Sequence, residues 1–181
     1  MTSPLVPTEP ILLSRSFVAV DFETANRSGG VSACALALVR VEDGLVTSRL
    51  STYLKPPPGF DRYEFTWLHG ISARDTANAP SWGSAAGQVA DFVADSPVYA
   101  HNSPFDAKVW RELDDYFGLA TAPQRIYCSY RLAKEVRPGL ANYKLPTVAR
   151  AFVPGFALSH HRADSDAEAC ALIVAAIQRQ R

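Results

Sequence analysis

The strongest constraint on the fold of this chain is an apolar run that leads into two acidic residues, over residues 17–24. Four consecutive apolar residues, two of them β-branched, are typical of a strand that is buried on both faces inside a sheet. Side chains alternate along a strand, so Asp21 and Glu23 point to the same face near its C-terminal end. Two carboxylates beside a core are costly to bury unless a cation lies between them, and Mg²⁺ prefers such oxygen ligands. The pattern therefore predicts a metal site, although taken alone it also fits a strand that simply ends in two acids.

Length and composition indicate a single globular domain. The chain has 181 residues, of which 48% are hydrophobic and 20% charged, enough for a core of ordinary size. Cys34, Cys128 and Cys170 show no C-x-x-C spacing, which argues against a disulfide framework or a zinc site and favours reduced thiols in a cytoplasmic protein. Residues 1–15 lack the basic start and long apolar run of a signal peptide or membrane span. We therefore expect a flexible tail over residues 1–15 and one domain over residues 16–181.

Charge is unevenly distributed along the chain, although the formal net charge is zero. Residues 1–124 contain 9 Lys/Arg and 14 Asp/Glu, a net charge of −5. Residues 125–162 contain 7 Lys/Arg and 1 Asp/Glu, a net charge of +6. An acidic site with a basic flank suits a nucleic-acid backbone held against metal ions, although the basic segment is equally compatible with a solvated helical face.

Turn signals and apolar periodicity predict an α/β fold. A second strand over residues 32–41, a hairpin turn at residues 42–44 and a third strand over residues 45–54 would place three antiparallel strands side by side. Short strands are predicted over residues 98–100 and 126–128. These elements predict a mixed five-stranded sheet with helices on both faces. Ligands in such sheets collect outside the C-terminal strand ends, where Asp21 and Glu23 lie.

Helices are predicted from apolar spacing and capping residues. They cover residues 81–94, 104–117, 129–136, 145–151 and 165–180, with one further helical turn over residues 65–69. Asn102 or Ser103 is expected to cap the second of these helices and Gly118 to end it. Ser165 or Asp164 is expected to cap the last helix.

Two later segments also place acidic residues at helix starts. Asp106 falls in the first turn of the helix that follows the 98–100 strand, where an acid also suits the helix dipole. Asp166 opens the last helix, and His161 lies five residues earlier on the loop that leads to it. A lone histidine is more often structural than catalytic, and the neighbouring His160 also fits a chance repeat. Asp164 is more typical of a cap than of a metal ligand.

Together these segments resemble the DEDDh family, the DnaQ-like 3′→5′ exonucleases with an RNase H-like fold, and in particular the proofreading epsilon subunits of bacterial DNA polymerase III. The matching residues are Asp21-Phe22-Glu23-Thr24, then His101-Asn102-x-x-Phe105-Asp106, then His161-x-Ala163-x-x-Asp166. Their order, their separation and the strand–helix pattern between them agree over about residues 15–178. The histidine in the third segment matches the histidine subclass rather than the tyrosine subclass.

The resemblance implies a two-metal phosphodiester hydrolase. Four carboxylates would hold two Mg²⁺ or Mn²⁺ ions about 4 Å apart, clamping the attacking and leaving oxygens of the scissile phosphate. These ligands are Asp21, Glu23, Asp106 and Asp166. His161 would take the proton from the attacking water, a role that suits an imidazole with an ordinary pKa of about 6.5. The product would be a nucleoside 5′-monophosphate released from a 3′ end.

The resemblance also implies contacts to the terminal nucleotide. The segment His69-Gly70-Ile71 is similar to a family element that packs on that nucleotide. The candidate substrate-binding residues are Thr24, Leu68, His69, Asn102 and Phe105. For Leu68, packing in the core is an equal alternative. The chain departs from its relatives at Pro104, where they commonly carry a small residue.

The expected substrate is the 3′ end of single-stranded or frayed DNA. An RNA exonuclease of the oligoribonuclease or RNase T type is the alternative within the same chemistry. A non-catalytic nucleic-acid-binding module on the same scaffold is the alternative from another class, but such a module has no need of four mutually repelling acids. Proofreading relatives often carry a further tail that binds the polymerase, whereas this sequence ends just after its last predicted helix. A DNA polymerase is therefore expected only as a doubtful partner, and no membrane partner is expected.

Overall fold

A computed structural model of the protein describes residues 5–181 and contains one mixed five-stranded sheet. The strands are β1 (Ser16–Thr24), β2 (Ala33–Glu42), β3 (Leu45–Tyr53), β4 (Val98–Ala100) and β5 (Ile126–Cys128). They lie in the order β3-β2-β1-β4-β5. The β1–β2 and β2–β3 pairs are antiparallel, and the β1–β4 and β4–β5 pairs are parallel. This confirms the predicted α/β fold, with β1 at the centre of the sheet.

Helices cover both faces of the sheet. They are α1 (Glu9–Leu12), α2 (Thr66–His69), α3 (Ala73–Thr76), α4 (Trp82–Val93), α5 (Pro104–Phe117), α6 (Ser129–Val136), α7 (Leu145–Phe152) and α8 (Ala163–Gln178). One hydrophobic cluster joins the sheet to α6, α7 and α8, and a second joins it to α4 and α5. Within the described part of the chain, no helix has the length and apolar character needed to cross a membrane.

Strand β1 serves both clusters because its side chains alternate. Phe17 and Ala19 lie in the cluster with α8, whereas Val18, Val20 and Phe22 lie in the cluster with α4 and α5. The odd-numbered face therefore carries Asp21 and Glu23 towards the α8 side of the sheet. The apolar run of β1 thus fixes the direction in which its two acids point.

The partners of β1 differ in length. Strand β2 pairs with it along its whole length, from Ser16–Glu42 to Thr24–Ala33. Strand β4 pairs with it only at Val18–Val98 and Ala19–Tyr99. The C-terminal half of β1 consequently extends past the end of β4, and this gap is where the acidic residues lie.

The β2–β3 hairpin forms as the sequence predicts. Asp43 and Gly44 have φ angles of +48° and +79°, the left-handed values that a tight hairpin turn requires. Residues of β3 alternate between exposed and half-buried, as expected for a strand at the edge of a sheet.

The last helix begins earlier than the sequence predicts. Helix α8 starts at Ala163, with Arg162 at the N-cap position, so neither Ser165 nor Asp164 is its cap. The Asp164 carboxylate instead accepts from the Arg162 guanidinium at 3.0 Å and from the Ser165 amide at 2.9 Å. Asp166 therefore sits inside the first turn, where its side chain can turn towards β1. Helix α3 has no counterpart among the predicted helices. A capping box between Ser72 and Asp75 stabilises its N-terminus.

The N-terminal segment, expected to be a flexible tail, is packed on the domain over residues 5–15. Leu12 in α1 is buried in the larger cluster. Its carbonyl accepts from the Gln178 side chain at 2.6 Å, and the Leu5 carbonyl accepts from the Cys128 amide at 2.8 Å. Residues 1–4 lie outside the described residues.

Candidate active site

Three elements bring acidic side chains to the free end of β1. Ligand oxygens of Asp21 and Glu23 from β1 and of Asp166 from α8 lie within 4.8 Å of one another. Asp106, in the first turn of α5, approaches the same end of β1 and is 1% exposed. The four carboxylates predicted from the sequence therefore converge.

Asp106 is held in place by the part of β1 that β4 leaves unpaired. Phe22 lies beyond the last β1–β4 pair, and its backbone amide donates to Oδ1 of Asp106 at 3.1 Å. Since the fold leaves this amide without a strand partner, the carboxylate completes its hydrogen bonding. The short length of β4 thus couples the position of α5 to that of β1.

Two carboxylate oxygens of this cluster are left without a partner. Oδ2 of Asp106 and Oδ1 of Asp166 are buried and accept no hydrogen bond within the described residues. Buried polar atoms are nearly always satisfied, so an unpaired carboxylate oxygen indicates a missing partner such as a water or a cation. Carboxylate oxygens are the ligands that Mg²⁺ and Mn²⁺ prefer, so the donor set fits a hard divalent cation.

The pKa values of all four carboxyl groups are raised. Burial raises the pKa of Asp21 well above its usual value, and repulsion from Asp106, Asp166 and Glu23 adds to the effect. Burial, with repulsion from Asp166, raises the pKa of Glu23 to about 7. Burial likewise raises the pKa of Asp106 and of Asp166. Such shifts are typical of functional sites, and a bound cation would reverse them.

His161 lies on the loop before α8 in a constrained conformation. Its φ angle is +66°, a value uncommon for residues other than glycine. Its backbone amide donates to Oδ2 of Asp166 at 3.0 Å, which holds the loop against the acidic cluster. Burial lowers the pKa of the half-buried imidazole, and the nearby His160 and His69 lower it further. A neutral imidazole at this place can accept a proton.

His160 also belongs to the site, which the sequence did not indicate. Its Nδ1 lies 2.9 Å from Oδ2 of Asp166, and its ring stacks on that of His161 with centroids 3.8 Å apart. His160 therefore lies at the acidic cluster, beside Asp166 and His161. The tandem histidine was the available signal, but only the fold shows that both rings turn towards the same carboxylate.

The two remaining histidines are fixed by the protein itself. His101 Nδ1 lies 2.9 Å from the Ser129 hydroxyl and its Nε2 lies 2.9 Å from the Tyr143 carbonyl; burial lowers its pKa to about 4. His69 accepts from the Ile71 amide at Nδ1 (3.0 Å) and lies 3.1 Å from the Thr24 carbonyl at Nε2. Both nitrogens of each ring are therefore engaged, and these rings hold the ends of β4 and β1 in place.

The predicted substrate-binding residues are divided among different surfaces. A groove of about 190 Å³, here called the terminal groove, is lined by Thr24, Asn26, Arg27, Gly29, Gly30, Phe65, Phe105, Lys108 and Val109. A second groove of about 460 Å³, here called the acidic groove, is lined by Asp21, His101, Asn102, Tyr130, Lys144, Leu145, His160 and Asp166. His69 lines a separate cleft, and Leu68 is 36% exposed on α2.

The chain belongs to a known family of exonucleases. A family model described as Exonuclease, of the RNase T type, matches residues 18–174. This range contains all four carboxylates and His161. The chain is therefore a member of the DnaQ-like DEDDh exonuclease family, as the sequence motifs predicted.

Curated relatives include proteins of very different length. The chain is 31% identical to the DNA polymerase III subunit epsilon of Aquifex aeolicus over 86% of this chain and 77% of the relative. It is 30% identical to the 3′-5′ exonuclease DinG of Bacillus subtilis over 87% of this chain, but spans only 17% of that protein. Among solved structures, Exonuclease X in complex with 5′ overhanging duplex DNA superposes with a TM-score of 0.71, over 91% of this chain and 92% of that chain, at 21% identity. This last likeness shows the shared fold.

The raised pKa values predict how the stability of the metal-free protein depends on pH. A carboxyl group whose folded-state pKa is raised stabilises the fold below its unfolded pKa, and this stability is lost as pH rises through the folded pKa. For Glu23 that window runs from 4.5 to about 7. In chelator, the melting temperature should therefore fall between about pH 5 and pH 8, by an amount worth a few kcal/mol. Added Mn²⁺ should restore it, and more strongly at the higher pH.

The variant Asp21→Asn provides the matched control. It removes one repelling charge, so in chelator at about pH 8 its melting temperature should exceed that of the wild type. The Mn²⁺-induced rise should be smaller in the variant. Differential scanning calorimetry measures both quantities, and a variant that is less stable than the wild type in chelator would contradict the assigned repulsion.

Proposed function

We propose that this domain is a metal-dependent 3′→5′ exonuclease that releases nucleoside 5′-monophosphates from the 3′ ends of single-stranded or frayed DNA. The observation that supports it most directly is the convergence of four carboxylates with raised pKa values beside a neutral imidazole. Two of their buried oxygens lack a partner within the described residues. Family membership agrees with this chemistry, because the family consists of exonucleases.

The proposed metal ligands are Asp21, Glu23, Asp106 and Asp166. Two Mg²⁺ or Mn²⁺ ions would supply Lewis acidity and neutralise the charge of the scissile phosphate. The chain's own contribution is to hold the carboxylates in a largely buried, preorganised cluster at the end of β1. His161 would accept the proton of the attacking water, because burial and its neighbours keep its imidazole neutral near pH 7.

The two grooves suggest how a nucleic-acid strand enters the site. Phe105, which is 42% exposed, gives the terminal groove an aromatic surface on which a terminal base can stack. The acidic groove carries a cation, Lys144, among its lining residues. We propose that the terminal nucleotide occupies the terminal groove and that Lys144 contacts a phosphate further along the strand. Only Lys144 of the basic segment lines the acidic groove, so few phosphate contacts are expected.

DNA is the preferred substrate in this proposal because the relatives named above include a DNA polymerase subunit. The same relative makes a DNA polymerase the partner class to test. An RNA exonuclease is the alternative. A non-catalytic binding module is disfavoured because it would have to bury repelling carboxylates for no purpose.

Conservative replacement of the acids tests the metal assignment. Asp21→Asn, Glu23→Gln, Asp106→Asn and Asp166→Asn should each lower turnover by at least about a hundredfold, as expected when a group that organises charge stabilisation is removed. Circular dichroism should show an intact fold in each variant. Near-normal turnover of any one variant at saturating Mg²⁺ would remove that residue from the metal site.

The two neighbouring histidines provide a matched pair for the proton-transfer role. His161→Ala should lower turnover by about 10²- to 10⁴-fold and remove the acidic limb of the pH–rate profile. His160→Ala should lower turnover much less and keep that limb. Because the folded-state pKa of His161 is lowered, the acidic limb of the wild type should lie below about pH 6.5. If His160→Ala had the larger effect, the roles of the two histidines would have to be exchanged.

A time course on 5′-labelled oligonucleotides tests the substrate assignment. With excess unlabelled trap, single-stranded DNA should give a ladder of products shortened by one nucleotide at a time, while blunt duplex and RNA should react more slowly. Unpairing a terminal base costs a few kcal/mol, which accounts for the slow duplex reaction. Activity should fall only gradually as the salt concentration rises, because few phosphate contacts are expected. Each neutralised phosphate contributes roughly −0.7 to the slope of log affinity against log salt concentration for single strands. Long processive runs, faster cleavage of RNA, or digestion from the 5′ end would contradict the assignment.

A further inference from the structure

An exposed tryptophan on helix α2, beside the terminal groove, has no role in the proposed hydrolysis. Trp67 is 79% exposed, the highest fraction among the large apolar side chains of residues 5–181. The other two tryptophans, Trp82 and Trp110, are 1% and 0% exposed. The neighbouring Leu68, at 36% exposed, extends the apolar surface. An exposed indole at the edge of a binding groove is typical of a stacking contact with a ligand.

Helix α2 is attached at both ends to the chain around the end of β1. At the start of the helix, the Phe65 amide donates to the Ala25 carbonyl at 3.1 Å. At the end of the helix, Nε2 of His69 lies 3.1 Å from the Thr24 carbonyl. Trp67 is therefore carried by a helical turn whose position is tied to the acidic strand, and its indole can contact a ligand without the ordering of a loop.

The indole of Trp67 points away from the body of the protein. Residues two apart in a helix project roughly 200° from each other, so Trp67 and His69 lie on nearly opposite sides of α2. His69 turns inwards to the Thr24 carbonyl, and Trp67 turns outwards to solvent. Phe65 lines the terminal groove and His69 lines the separate cleft, whereas Trp67 lines neither. The indole is therefore placed for a base outside the terminal groove.

The two grooves leave one such base at the end of a duplex. In the proposed function, the scissile strand runs from the terminal groove into the acidic groove, and the lining of the acidic groove within residues 5–181 includes no residue of α2. Helix α2 therefore borders the strand only at its terminal nucleotide. When the terminal pair opens, the base that loses its partner at that end belongs to the complementary strand.

We propose that Trp67 stacks on the complementary-strand base released by opening of the terminal pair, so that α2 separates the two strands. Stacking on the indole would offset part of the cost of unpairing and would favour attack on duplex ends. Such stacking tolerates any sequence, because every base has a π face. The inference rests on the proposed function, since it assigns the second strand of that site's substrate.

Tryptophan fluorescence tests the contact. Because Trp82 and Trp110 are buried, acrylamide should quench mainly the emission of Trp67. Asp21→Asn, whose low turnover leaves the oligonucleotides intact, is titrated in Mg²⁺ with blunt duplex DNA and with the scissile strand alone. The duplex should lower the acrylamide-sensitive emission strongly, and the single strand much less. After the further change Trp67→Phe this emission should disappear. No response to the duplex, or an equal response to the single strand, would overturn the proposal.

The duplex preference tests the consequence. Each protein's kcat/KM on blunt duplex DNA is divided by its own value on single-stranded DNA. Trp67→Ala should lower this ratio by at least about fivefold, the change that corresponds to the loss of one base–aromatic stack. Trp67→Phe keeps an aromatic face and should keep most of the ratio. Leu45→Ala removes an exposed apolar side chain at the β2–β3 hairpin and should leave the ratio unchanged.

The proposed function and the strand-separating role of Trp67 fail in different ways. If the wild type hydrolysed no single-stranded DNA, the proposed function would fail, and the fluorescence titration would still show whether Trp67 contacts a duplex end. If the wild type hydrolysed single-stranded DNA and Trp67→Ala kept the wild-type ratio, strand separation by Trp67 would fail alone. An equal fall of the ratio in Leu45→Ala would also overturn the role of Trp67.

Discussion

The main constraint on this structure is the repulsion among four carboxylates that the fold holds close together. Strand β1 runs past the end of β4, and the gap receives Asp106 from α5 on one side and Asp166 from α8 on the other. Each acid is held by elements with large buried faces, so the core overcomes a repulsion that would otherwise separate them. The cost appears as raised pKa values and as two unpaired buried oxygens. A divalent cation bound among these carboxylates would remove both penalties, and the set of oxygen donors fits such an ion.

Close backbone packing keeps Asp106 in register with β1. The β1–β2 connection passes so near α5 that a Cβ on Gly30 would lie 2.5 Å from Cα of Val109. Only glycine permits this approach. The carboxylate of Glu112, which lies on the same helix as Val109, accepts a hydrogen bond from the Gly30 amide. Helix α5 is thus attached both to the loop after β1 and to Phe22. These two attachments hold Asp106 where its carboxylate can accept the Phe22 amide, a hydrogen bond that a neighbouring strand would otherwise supply.

The sequence predicts those parts of the fold that local pattern determines. Strand β1 follows from its apolar run, the hairpin from Asp43–Gly44, and the end of α5 from Gly118, whose φ angle is +67°. The sequence misplaces the start of α8 because Asp164, an expected cap, forms an ion pair with Arg162 instead. It also cannot show that His160 reaches Asp166, since this depends on the left-handed conformation of His161 and on how the loop packs. Spacing identifies the carboxylates, whereas only packing shows which of their oxygens lack a partner.

The four histidines of the chain lie at the ends of β1 and β4 or on the loop before α8, and their arrangement bears on how the four carboxylates are paired. A lysine or arginine paired with these acids would lower their pKa values and compete with the cation. Within residues 5–181 no ion pair joins any of the four acids to a lysine or arginine. The one basic side chain in contact with them is the His160 imidazole, beside Asp166. Neutral imidazoles at His69 and His101 brace the strand ends without adding charge. Uncharged polar groups therefore hold the strand ends in place, and within residues 5–181 no lysine or arginine offsets the repulsion among the four carboxylates.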